Sequence, residues 1–213
     1  MNIKKILTVL ALSALLTAPL CGCFSNQTPA LSPENVTKLT AVLDEKPAAI
    51  PEKGWDEESI AKVIKYGGKT VGFPCTLNDL GAEFDFAEDG RFTVSDDGDV
   101  YGDLIFDTCN IGTAKLVDAP SKEEYRKGTV KLLQFTAGKY GDGKFWPSVY
   151  PISINGVTIG SSAKDIEEKL GFKSKGINQI NVVAEIGCYR IVFAGTKLDG
   201  VTSIAISNTK LQF

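Results

Sequence analysis

The side chains of this 213-residue chain that could carry chemistry are five cysteines and 26 Asp or Glu residues, and there is no histidine. Without an imidazole, Ser-His-Asp and Cys-His catalysis and the common His-bearing zinc sites are excluded. Cys75, Cys109 and Cys188 lack CxxC spacing, so they make a poor thiolate-only metal site. A nucleophilic cysteine needs a neighbouring cation or a helix N-terminus to lower its pKa. Only Cys75, just before a predicted helix start, meets that condition. The competing reading makes all three small buried apolar residues. In an oxidising compartment, three thiols allow one intramolecular bond and leave one over, and spacing does not choose the pair.

Asp96, Asp97, Asp99 and Asp103 cluster on a turn and could attract Ca²⁺. Their spacing departs from the calcium-loop pattern, and a solvated hairpin turn is the simpler reading. Glycoside hydrolysis needs two carboxyl groups about 5 Å or about 9 Å apart, and no spacing here implies such a pair. The chain is therefore read as non-enzymatic, with no metal and no cofactor. The remaining candidate is a loop rich in aromatic residues, Tyr140, Phe145, Trp146 and Tyr150, interrupted by Gly and Pro. Tyr and Trp dominate binding hot spots, so this loop could rim a concave sheet and recognise a partner. Alternatively, Phe145 and Trp146 pack beneath the connection that carries them.

The N-terminus supplies an address. Lys4 and Lys5 precede an apolar run from Ile6 to Leu16, and Leu20-Cys21-Gly22-Cys23 follows. The run is far shorter than the roughly 20 residues of a membrane-spanning helix, and it reads as a signal peptide over 1–22. Leu20, Gly22 and Cys23 resemble the lipobox of bacterial lipoproteins, with Cys23 as lipid acceptor. Cys21 is disfavoured as acceptor because Pro19 and Leu20 would precede it. Cleavage by the general signal peptidase is the plainer alternative. The lipobox resemblance implies a chain anchored by lipid at the extracytoplasmic face of the cell membrane. Two or more acyl chains anchor stably, whereas one does so only marginally. Loss of Lys4 and Lys5 takes the formal charge from -3 to -5. A mildly acidic domain is not a nucleic-acid binder, and its composition offers no basic patch for an anionic membrane.

Residues 23–53 carry the anchor and read as a flexible tether, interrupted by Pro29, Pro33, Pro47 and Pro51. A short helix over Pro33 to Leu43, capped by Ser32, is predicted within it. Two segments of the remainder resemble each other. Gly68-Lys-Thr-Val-Gly72 precedes Thr76, Asp79, Leu80, Phe84 and Phe86; Gly156-Val-Thr-Ile-Gly160 precedes Ser162, Asp165, Ile166, Leu170 and Phe172. Each reads as a strand, a Gly turn, a Ser- or Thr-capped helix with apolar residues four apart, and then strands. Strands are predicted over 91–94, 100–110, 113–117, 129–136, 177–183, 188–194 and 201–207. Residues 60–66 fit a helix or a strand, and a helix capped by Asp56 is the preferred reading. The expected fold is α+β: two tandem strand-helix-antiparallel-meander repeats, 54–150 and 151–213, with helices packed on antiparallel sheet.

The segment from Gly160 to Gly171 resembles the tandem-repeat folds of the β-lactamase inhibitor proteins and of the outer-membrane assembly lipoprotein BamE. The resemblance implies a fold and a binding style, and no target. The expected function is a non-catalytic binding module for a protein or envelope component, with its membrane contact made through the N-terminal lipid. Envelope assembly or solute capture is the alternative, and a small hydrolase comes third.

Overall fold

Short-range hydrogen bonds decide where each helix begins in this structure, a computed structural model that describes residues 29–88, 90–139 and 144–211. Helix α1, Pro33–Asp44, starts where Ser32 Oγ accepts the Asn35 N–H at 3.3 Å. Helix α2, Glu57–Val63, starts where Asp56 accepts from the Ser59 N–H at 2.8 Å. Helix α3, Leu77–Leu80, follows Thr76, whose N–H donates to Asp79 at 2.7 Å. Helix α4, Ala163–Leu170, has the reciprocal box of Ser162 and Asp165, with bonds of 2.8 and 3.1 Å. It ends at Gly171, whose φ of 75° no β-carbon opposes.

The strands in chain order are β1 Ile64–Tyr66, β2 Lys69–Thr70, β3 Phe84–Phe86, β4 Phe92–Val94, β5 Val100–Phe106, β6 Cys109–Val117 and β7 Thr129–Thr136. They continue as β8 Gly138–Lys139, β9 Phe145–Trp146, β10 Ile152–Ile154, β11 Gln179–Ile186, β12 Tyr189–Thr196 and β13 Gly200–Asn208. An eight-stranded antiparallel sheet runs β11-β12-β13-β7-β6-β5-β3, with β4 also on β5. A smaller sheet runs β10-β1-β2, and β8 pairs with β9.

This arrangement corrects the expectation of two tandem helix-sheet repeats. Strand β13 pairs with β7, Ser203 opposite Thr136 through Ser207 opposite Leu132, so both meanders belong to one sheet. Strand β1 pairs with β10, Ile64 opposite Ile154. The two expected halves share a single core, which joins Leu80, Phe84, Phe106 and Leu133 to Ile154, Ile166, Phe193 and Ile206. The first expected helix is only one turn long. Gly81 adopts φ 127°, which terminates it, and Phe84 and Phe86 lie in β3 opposite Phe106 and Leu104. The alternation Phe84-Asp85-Phe86 has the period of a strand and wins over the four-residue spacing of Leu80 and Phe84. The expected helix over 60–66 likewise divides, because Ile64 and Tyr66 leave α2 to pair in β1. The expected strand over 100–110 is two strands, turned at Asp107 with φ 58°.

Residues 29–53 do not behave as the expected free tether. Leu31 and Leu39 are buried in the core, and Asn155 accepts the Ala48 N–H at 2.7 Å and donates to Ala48 O at 3.0 Å. The helix capped by Ser32 is present and extends to Asp44. No helix among the described residues is long and apolar enough to cross a membrane. The signal segment and Cys23 lie outside the described residues.

Candidate binding surface

Alternation along a strand gives the large sheet two different faces. One face packs on the core, and the buried residues of α1 through α4 (among them Leu39, Ile60, Leu80 and Ile166) belong to that same core. The other face carries no helix among the described residues. Its central row runs across six strands in register: Val183, Val192, Ala205, Gln134, Thr113 and Asp103. The next row is Glu185, Arg190, Ser207, Leu132, Lys115 and Tyr101. Five of the six side chains in the central row are short, all but Gln134, while the next row is mostly long. Val183 is 52% exposed and Tyr101 40%.

Charge on this face is held in pairs. Arg190 lies 3.3 Å from Glu185, Lys115 lies 2.6 Å from Asp99, and Arg91 lies 2.8 Å from Asp103. The Arg91 guanidinium also sits 5.9 Å from the centre of the Tyr101 ring, within cation–π range. The hydrogen bond and charge of Arg91 hold the Asp103 carboxyl below its ordinary pKa. At one corner a depression of about 390 Å³ lies between Thr93, Ser95, Asp97, Asp99, Tyr101 and Lys115. Beside it the Lys131 side chain is almost fully buried, and burial, then Lys115, push its pKa down.

The aromatic residues singled out in the sequence occupy different settings. Tyr140 lies outside the described residues. Tyr150 is 3% exposed, and its hydroxyl accepts the Gly138 N–H at 2.9 Å and lies 2.6 Å from Trp146 O. Phe145 and Trp146 are half-buried against the core. The Trp146 indole donates to Pro29 O, and the Lys139 ammonium sits 5.2 Å from the Phe145 ring centre. A cleft of about 320 Å³ remains between Leu31, Val36 and the segment Lys144 to Ser148. Tyr150 therefore clamps a turn, while Phe145 and Trp146 stay partly exposed.

The three described cysteines are free and buried. Burial pushes the Cys75 thiol up to about 12. Burial also raises Cys109, and burial together with the Glu57 carboxylate raises Cys188. Cys75 precedes α3, but burial outweighs any effect of that single turn. Among the described residues, Asp96, Asp97, Asp99 and Asp103 do not group to hold a metal ion, and neither does any other set. Sequence reasoning did not pick out the outward row from Val183 to Asp103. Its signal is the alternation itself, which names a face only once strand pairing shows that the positions align. The chain matches no protein-family model, no curated protein and no solved structure.

Proposed function

We propose that this chain is an exported lipoprotein, held through Cys23 at the extracytoplasmic face of the cell membrane, whose open sheet face binds another envelope protein without chemistry. The observation that carries this reading is the row from Val183 to Asp103 on the sheet face without a helix, mostly short, partly exposed side chains in register across six strands. A partner can approach such a surface closely, and Tyr101 with Arg91 offers the residue types that anchor interfaces. Thiols raised by burial and the lack of any imidazole favour binding over catalysis.

The test is co-purification from detergent-solubilised envelope with the lipidated chain and a Val192→Glu, Ala205→Lys variant. Both positions point away from the core, so the unfolding midpoint is expected to hold while the partner is lost. Recovery of the same partner by both proteins would remove the sheet face from the proposal. Solute capture is the second reading, favoured by the depression beside Lys115, whose volume of about 390 Å³ suits a small molecule. There, a ligand screen read by thermal shift should find a compound whose stabilisation disappears in Lys115→Ala.

A further inference from the structure

The ends of the large sheet differ in charge. At one end lie the turn after β5, the chain leaving β7, the segment entering β11 and the turn between β12 and β13. Among the described residues that end carries Lys139, Lys144, Lys173, Lys175 and Lys197, all exposed, with Asp107 and Asp199, and Glu167 of α4 lies 3.6 Å from Lys173. Asp107 is occupied by the Ser32 N–H at 2.7 Å, and Asp199 pairs with Lys139. At the opposite end the turns carry Asp96, Asp97, Asp118, Glu123 and Glu124, with Lys122, Arg126 and Lys127. The net charge of the chain hides this division.

The cationic end also displays the two most exposed large aliphatic side chains among the described residues, Leu198 at 93% and Ile177 at 85%. They sit on adjacent tips, tied by the Lys197 N–H donating to Asn178 O at 3.1 Å. Lys164, Lys173 and Lys197, with Glu167, line one concavity of about 460 Å³ beside them.

The path of the N-terminus points to the same end. Pro29 O accepts from Trp146, Thr108 donates to Ala30 O at 3.0 Å, and Ser32 is held at Asp107. All three partners lie on the cationic end. Six residue steps separate Cys23 from Pro29, a reach of about 20 Å even at full extension. A lipid on Cys23 therefore keeps this end close to the bilayer, however those residues are arranged.

We propose that the cationic end docks on the membrane, with Ile177 and Leu198 entering the headgroup layer and Lys173, Lys175 and Lys197 facing anionic phospholipid. This rests on the lipoprotein reading for the position of the anchor, while the docking surface is a property of the folded domain. It leaves the open sheet face upright beside the bilayer and free for a partner. Lysines within a Debye length of an anionic surface are attracted to it, and the acidic end is repelled.

The test reconstitutes the full processed chain in phosphatidylcholine vesicles with and without phosphatidylglycerol. Lysines are labelled with a membrane-impermeant amine reagent and mapped by mass spectrometry. Lys173, Lys175 and Lys197 should be protected several-fold relative to Lys122 and Lys210, and more so with phosphatidylglycerol present. Equal labelling of the two sets overturns the proposal. Protection that appears only when envelope proteins are added assigns the surface to a protein instead and also overturns it.

The same spectra report whether Cys23 is acylated. If it is not, the anchor reading fails, and docking is judged by flotation of the full chain with phosphatidylglycerol vesicles. Binding that falls at least ten-fold in Lys173→Glu, Lys175→Glu, Lys197→Glu, and also in Ile177→Ser, Leu198→Ser, supports docking, and no binding by the unaltered chain refutes it. These side chains are exposed, so unchanged unfolding midpoints show that the variants remain folded.

Discussion

Buried polar atoms set the behaviour of single residues here. The Tyr66 hydroxyl is fully buried and has no hydrogen-bond partner among the described residues. A buried hydroxyl without a partner costs more than its removal, so Tyr66→Phe should stabilise the fold by about 1 kcal/mol. A rise in the urea midpoint at unchanged slope would verify this. The thiols give a second expectation. With Cys75 pushed up to about 12 and Cys109 and Cys188 also raised, native protein at neutral pH should leave all three unmodified by a disulfide reagent. Denaturation should release them together, as thiol titration with peptide mapping would reveal. The sequence held the buried reading of these cysteines open beside a disulfide, because spacing carries no information on distance or burial. The same gap affected the aromatic residues. Composition marked Tyr150 as a binding candidate, and only packing turns its hydroxyl inward onto Gly138 and Trp146.

At the scale of elements, capping and close approach decide. Helix α4 was legible because Ser162, Asp165, Ile166, Leu170 and Gly171 all agree on one helix. Ser162→Ala should cost about 1 kcal/mol, measured by thermal or chemical unfolding. Helix α3 shares the Thr76 and Asp79 box, yet Gly81 ends it after a turn and alternation takes over. Local signals there conflicted, and pairing of β3 with β5 resolved them. Gly112 was not singled out in the sequence. Its φ is 147°, and a β-carbon would lie 1.8 Å from Gln134 O on β7. Gly112→Ala should therefore disrupt the pairing of β6 with β7, seen as loss of cooperative unfolding and of hydrogen-exchange protection in both strands.

Across the whole molecule, the N-terminal segment is a strap fastened at both ends. Asp107 accepts the Ser32 N–H at 2.7 Å and the Asn35 side chain at 3.1 Å, and these bonds lower its pKa in that order. Asn155, buried at φ 49°, holds Ala48 and donates to Lys169 O at 2.6 Å. A carboxylate whose folded pKa is depressed contributes stability that is complete above its unfolded value. For Asp107 that value is near 3.8, and the contribution fades as pH falls below it toward the folded pKa. Acidification below about pH 4 should thus expose residues 29–44 to limited proteolysis. Asp107→Ala should show that exposure at neutral pH, with about 1 kcal/mol lost.

The sequence by itself determined the starts of the helices, most of the strands and the exclusion of histidine chemistry. These depend on neighbours within a few residues, where hydrogen-bond geometry and periodicity act. It did not reveal that two meanders merge through β7 and β13, that residues 29–50 pack as a strap, or that Lys173, Lys175 and Lys197 gather with Ile177 and Leu198 at one end of the sheet. Those features arise from pairs such as Ser203 with Thr136 and Ser32 with Asp107, distant along the chain. Only the tertiary structure decides which turns share an end, because charge counts and spacing carry no direction until the strands are paired.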